Sequence, residues 1–151
     1  MHEKVETMLR GRVFKKLMEH RCGPVCEKYG LKQIEVEILF YMSKVPASIT
    51  STDIYHSLNM NKGQISRSME SLCKKGYLSA KSDETDRRLV LFDLTGQAKE
   101  VVEEINLVTE KFRDDIFEGI SEEEFARFKE TGLKILANAN AMMEKEGESK
   151  R

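Results

Sequence analysis

The stretch Thr50-Ser-Thr-Asp-Ile-Tyr-His-Ser-Leu-Asn-Met-Asn-Lys-Gly-Gln-Ile-Ser-Arg-Ser-Met-Glu-Ser-Leu-Cys-Lys-Lys-Gly-Tyr-Leu78 decides the fold, together with Asp86-Arg87-Arg88-Leu-Val-Leu-Phe-Asp-Leu-Thr95 downstream. It reads as two short helices joined by a tight turn, then a β-hairpin with a charged tip. Thr50 can cap the first helix, with Asp53 three residues on, close to a capping box. Asp53 also puts negative charge in the first turn, where the helix dipole favours it. Ile54 and Leu58 form an i, i+4 apolar stripe. Asn59 is expected to stop this helix, because Asn tolerates the left-handed conformation common at helix ends. Asn61 can cap the next one.

The second helix is expected over about Lys62 to Lys75. At about 100° per residue, Ile65, Met69 and Leu72 share one face. Gly63, Arg67, Glu70 and Lys74 share the opposite face, with Gln64 and Ser71 at its border. The exposed face therefore carries hydrogen-bond donors. Glycine at position 63 costs roughly 1 kcal/mol of helix propensity relative to alanine. Close approach of the helix N-terminus to a phosphate or base edge would justify that cost; the plainer reading is a solvated helix with an indifferent glycine.

The hairpin adds a second element. Gly76 stops the helix, Tyr77 to Lys81 reads as a strand, Ser82 to Arg87 as a polar tip, and Leu89 to Leu94 as the return strand. Asp86, two residues before Arg88, could hold its guanidinium in one orientation and leave donors free. An oriented arginine suits a narrow, negative minor groove; the plainer reading is a weak surface pair. The fold class is thus mainly α, with a small β component: a winged helix-turn-helix. One helix would enter a DNA major groove while the hairpin tip reaches the next groove or the backbone.

Ile54 to Leu58, Asn61-Lys-Gly-Gln-Ile-Ser-Arg67, Leu72, Lys75-Gly-Tyr-Leu78 and Asp86-Arg-Arg88 followed by Leu94-Thr95 together resemble the MarR family of bacterial regulators. The resemblance covers essentially the whole chain. It implies a homodimer with one recognition helix and one wing per subunit. It also implies a pseudo-palindromic double-stranded operator and repression relieved by a small ligand or an oxidant. Carried over, it places Lys62, Gln64, Ser66 and Arg67 on the recognition helix and Asp86 and Arg88 at the wing. With their neighbours, the candidate DNA-binding set is Asn61, Lys62, Gly63, Gln64, Ser66, Arg67, Asp86, Arg87 and Arg88. Gly63 departs from the family pattern, where a small polar residue is more common, so no side-chain contact is expected from it.

Composition agrees. A chain of 151 residues, 40% hydrophobic and 34% charged with two prolines, can bury one core and favours helix over disorder. A net charge of −1 argues against a general nucleic-acid coat, so the distribution of charge matters more. Between Asn59 and Arg88 seven basic side chains face four acidic ones, about +3, whereas Gly96 to Gly147 is acidic. No apolar run approaches the ~18 residues of a membrane span. The N-terminus lacks a secretory core, so a cytoplasmic location is expected. Three cysteines do not make a disulfide scaffold.

Outside the central stretch, Val5 to about Cys22 has apolar residues at helical spacing: Val5, Met8, Leu9, Val13 and Leu17. Gly23-Pro24 is expected to interrupt that helix, and Pro24 to open a short piece ending at Gly30. Leu31 to Lys44 reads as a helix buried between neighbours. Ile49 could add a short strand beside the hairpin. Gly96 to about Gly119 reads as a long helix, and Ser121 with Glu124 caps a last one carrying Phe125, Phe128, Leu133, Ile135, Leu136, Ala139 and Met142. One domain is therefore expected over 1–151. Residues 31–95 would form the DNA-binding region, and 1–30 with 96–147 a helical dimerisation region. An ordinary intrachain bundle is the alternative for those helices.

His20-Arg-Cys22-Gly-Pro-Val-Cys26 is the one cluster with site-like chemistry. It could be a thiol switch, with His20 and Arg21 lowering a thiol pKa. It could instead supply three metal ligands, His20, Cys22 and Cys26, with a fourth from elsewhere. The favoured reading is packing at a helix break, so Cys22, Cys26 and His20 remain a candidate sensor and no metal or cofactor is assigned. The family's effector mode, a small aromatic or acidic ligand between the first helices and the wing region, is implied by the resemblance alone. A thiol enzyme is disfavoured by the absence of a Cys-x-x-Cys motif, a βαβ pattern and a phosphate loop. A helical interaction module without DNA binding stays open.

Overall fold

The computed structural model describes residues 12–58 and 60–148. The expectations for Val5, Met8, Leu9 and Asn59 lie outside the described residues. Helix α1 spans Arg12–Tyr29, α2 Gln33–Lys44, α3 Ser51–Leu58 and α4 Lys62–Lys74. Strands β1 (Leu78–Ser82) and β2 (Val90–Leu94) follow, then α5 (Ala98–Ile116) and α6 (Glu122–Glu148). The chain divides into two compact units, Met1–Arg113 and Asp114–Arg151.

Helix boundaries follow the capping chemistry. Thr50 N donates to Asp53 Oδ2 at 2.8 Å and Asp53 N donates to Thr50 Oγ1 at 3.2 Å, a reciprocal box opening α3. Asn61 Oδ1 accepts the Gly63 N–H at 2.8 Å and opens α4. Gly76, at φ 81°, lets the chain leave α4 in a left-handed turn that a side chain would strain. Ser121 and Glu124 repeat the box at the start of α6, with Ser121 N donating to Glu124 Oε2 at 2.8 Å.

Gly23-Pro24 does not interrupt the first helix: α1 runs straight through Pro24. Proline forfeits one intrahelical bond. Its neighbours Cys22 and Val25, however, are buried in the core, while Pro24 itself faces solvent. Burial of the flanking side chains keeps the register.

The core of the first unit gathers Cys22, Val25 and Leu31 with Val36, Ile38, Leu39 and Met42 of α2, Ile54 of α3, and Ile65, Met69 and Leu72 of α4. Leu78, Ala98, Val101 and Ile105 complete it. The two strands pair antiparallel, from Leu78 opposite Leu94 to Ser82 opposite Val90. Ile49 pairs with Phe92 through both backbone bonds, 3.1 and 2.8 Å, as the added strand residue at the hairpin's edge. The first strand lies one residue later than expected, and the second starts one residue later with its end unchanged: Leu89 belongs to the tip, because its N–H donates to the Asp86 carbonyl at 2.9 Å.

In the second unit, Phe117 and Phe125 meet edge to face with ring centroids 4.9 Å apart. No described residue of α6 is buried, although its apolar residues recur at helical spacing.

Candidate nucleic-acid interface

Helix α4 is fixed by one face and offered by the other. Ile65, Met69 and Leu72 are at most 1% exposed, so the helix cannot roll without opening the core. Lys62, Gly63, Gln64, Ser66 and Arg67 are all exposed. The Arg67 side chain runs back toward the helix start, as helical side chains do: its Nη1 lies 3.7 Å from where a Cβ on Gly63 would stand. The same Cβ would sit 3.2 Å from Asn61 Oδ1 and crowd the cap. Glycine at 63 therefore keeps the cap bond short and leaves the start of the helix open to close approach, with the Arg67 donors beside it. Farther along the exposed side, Lys74 Nζ pairs with Glu70 Oε1 at 2.7 Å and holds that carboxyl below its usual range.

The wing is built by carboxylates accepting from the backbone. Asp83 Oδ1 accepts the N–H groups of Thr85 and Asp86, both at 2.8 Å, and the Thr85 hydroxyl as well. The Thr85 hydroxyl first, and then these two amides, keep the Asp83 carboxyl below its ordinary value. Asp86 does not orient the Arg88 guanidinium. Its Oδ1 accepts the Arg88 backbone N–H at 3.0 Å, because an Asx turn is a nearer partner than a long flexible side chain. No described carboxylate pairs with the guanidinium of Arg87 or Arg88, and both residues are exposed. At the base of the wing Asp93 accepts from the Ser48 hydroxyl at 2.6 Å and pairs with Lys81 at 3.0 Å. That contact anchors the hairpin to the chain entering α3.

Sequence reasoning missed Glu35. It lies wholly buried near the start of α2, and its Oε2 accepts from Lys75 Nζ and from the Lys32 N–H, both at 2.7 Å. Burial works to raise its pKa; the hydrogen bonds from Lys75 and Lys32, with Ser71 nearby, outweigh that and leave it lowered. The signal was present: Glu35 precedes Ile38, Leu39 and Met42 by three, four and seven residues and so shares their buried stripe.

The cysteine cluster differs from a lowered-pKa thiol switch. With α1 unbroken, Cys22 and Cys26 sit one turn apart on one helix, and all three cysteines are free. Burial, the neighbouring Cys26 and Glu37 push the Cys22 thiol up, and burial and Glu35 do the same to Cys26. His20 is exposed, and the Arg21 guanidinium lies over the Phe112 ring, 5.9 Å from its centroid. Among the described residues no group of three or more His, Cys, Asp or Glu could hold a metal ion, so His20, Cys22 and Cys26 are not assembled as a ligand set. No described helix is long and apolar enough to cross a membrane.

Residues 31–98 match the family described as a winged helix DNA-binding domain. Among solved structures, the transcriptional regulator PA3341 superposes with a TM-score of 0.81 at 22% identity, over 91% of this chain and 98% of that one. MarR itself gives 0.70 at 19% identity, over 93% of each chain. MepR of S. aureus, solved as a complex with DNA, gives 0.73 at 20% identity, over 87% of this chain and 96% of that one. At such identities the likeness establishes the fold, and it extends over nearly the full length of each relative.

Proposed function

From a chain that carries a winged helix DNA-binding domain in the fold of the MarR-family transcriptional regulators, we propose a sequence-specific regulator of transcription that binds a pseudo-palindromic operator as a homodimer in the cytoplasm. One observation carries this reading. The exposed face of α4 offers Gln64, Ser66 and Arg67 while its other face is locked into the core, and a hairpin of fixed shape carries Arg87 and Arg88 beside it. Asn61, Lys62 and Gly63 form the N-terminal end that faces phosphate, where the dipole and open amides favour an anion. Gln64, Ser66 and Arg67 read base edges in the major groove. Arg87 and Arg88 enter the minor groove or meet the backbone, and Asp86 shapes the turn that carries them. The complex of MepR with DNA supports this docking by likeness of fold.

The second copy packs on the exposed apolar residues of α6, including Phe128, Leu136, Met142 and Met143, and separately on Val13 and Phe14 of α1. Regulation is repression, released when a small ligand or an oxidant changes the separation of the two recognition helices. Such an effector needs a differential affinity of only about 1–3 kcal/mol. Selection from a random duplex pool tests the reading. It predicts enriched sites with two-fold symmetry and half-sites about one helical turn apart. A pool that stays random after repeated rounds at low salt would leave the interaction-module alternative in its place.

A further inference from the structure

The C-terminal end of α4 is tied down in a way that the groove-facing residues do not require. Lys75, the residue after the helix, extends its Nζ to two acceptors at once, Glu35 Oε2 and the Gly30 carbonyl, each at 2.7 Å. Glu35 Oε2 also receives the Lys32 N–H at 2.7 Å. The backbone at the same junction is held from the other side. Gln97 Nε2 donates to the Lys75 carbonyl at 3.3 Å, and Thr95 Oγ1 donates to the Gly76 carbonyl at 2.6 Å. The turn after α1 and the entry to α5 are thereby fastened to one end of α4. Lys28 and Tyr29 of α1 meanwhile meet Glu100 and Glu104 of α5, so those two helices are bound to each other as well.

A fully buried carboxylate is an expensive way to hold a helix that Ile65, Met69 and Leu72 already anchor. Glu35 Oε1 moreover is buried with no hydrogen-bond partner. Apolar packing along one face stops the helix rolling about its own axis; a charged pair with two fixed backbone partners at one end adds resistance to tilt. The geometry explains why that matters at this end. Helix α4 has 13 residues and is therefore about 20 Å long, so a tilt of ~10° about Lys75 would move Lys62 by ~3 Å, the length of one hydrogen bond. Base-edge readout at Gln64 and Arg67 does not survive such a shift, whereas loose attraction to phosphate does.

Resting on the DNA-binding reading above, we propose that Glu35 is a positioning residue for sequence discrimination. With Lys75 and the Gly30 carbonyl it fixes the angle of the recognition helix against the two helices that bracket the DNA-binding region.

The test compares the unaltered protein with Glu35→Gln, Lys75→Arg and the double variant Glu35→Met/Lys75→Met. The double variant removes both charges together and leaves no unpaired buried charge, so it keeps the experiment decisive if a single variant fails to fold. Affinity for the selected operator and for a scrambled duplex is measured for each folded protein. The expected result is a fall of at least tenfold in the operator-to-scrambled ratio for the double variant and for Glu35→Gln. Binding to the scrambled duplex should change by less than threefold, and a second selection should return a relaxed half-site spacing. Lys75→Arg, which keeps the pair, should retain most of the ratio. A folded double variant with an unchanged ratio and spacing would overturn the proposal while leaving DNA binding intact. An unaltered protein that shows no operator preference would overturn both.

Discussion

The winged region and the last helix carry the same kind of sequence signal and meet different fates. In α2, α4 and the start of α5, apolar residues at helical spacing are buried: Ile38, Leu39, Ile65, Leu72 and Val101 are all at 0% exposure. In α6 the same spacing leaves Phe128 71%, Leu136 57%, Met142 62% and Met143 72% exposed. An amphipathic pattern says that a face will be buried; it does not say whether the partner belongs to the same chain. The winged region finds its partners within 113 residues of its own unit. The last helix has a face left over, and a second copy is the partner proposed for it.

The sharpest way to break that contrast is a pair of equivalent truncations. Leu72→Ala opens a cavity in a packed core and should cost about 2–5 kcal/mol in denaturant unfolding, independent of protein concentration. Leu136→Ala should cost little at high concentration and progressively more on dilution, because the proposed dimer is what would bury it. Equal losses at every concentration would place α6 in an intrachain bundle instead. A smaller effect is expected at the interface. Arg67→Ala should weaken operator binding by about 1–3 kcal/mol and relax specificity, with unfolding unchanged. Arg88→Ala should weaken binding more evenly across sequences and lower its salt dependence, as measured by equilibrium titration at several salt concentrations.

Smaller again is the cap. Asn61→Ala removes the acceptor for the Gly63 N–H and should cost about 1 kcal/mol of stability, read by thermal melting with a matched surface control. The least effect at neutral pH concerns acid sensitivity. The folded state depresses the Glu35 pKa below about 4.5. Its contribution is therefore present above that value and lost as pH falls through the lower folded pKa. The unaltered protein should lose stability on acidification below about pH 4.5 more steeply than Glu35→Gln, as followed by unfolding at a series of pH values.

Much of the fold was legible because it was written locally. The Thr50–Asp53 box, the Asn61 cap, the Gly76 stop and the Ser121–Glu124 box each depend on residues within four positions of one another. What failed to read correctly was decided by tertiary context. Pro24 predicts a break, but burial of Cys22 and Val25 carries the helix past it. Asp86 was expected to reach a guanidinium, and the backbone amide two residues on was closer. The Glu35–Lys75 pair spans 40 residues of sequence, and no local rule anticipates its partner even though the buried stripe marks Glu35 itself. The thiol pKa depends on context in the same way: burial, which no local pattern prints, pushes Cys22 and Cys26 up, and the Arg21 guanidinium lies over Phe112.

In the proposed complex, two copies place Arg67 and Arg88 on neighbouring grooves of a single duplex. Binding stoichiometry and affinity, measured together across a salt series on one selected operator, test it most directly. Two protein chains per duplex are expected, with a slope of log K against log salt of about −5, from roughly three phosphates neutralised by each copy. A single chain with an affinity indifferent to salt would contradict it.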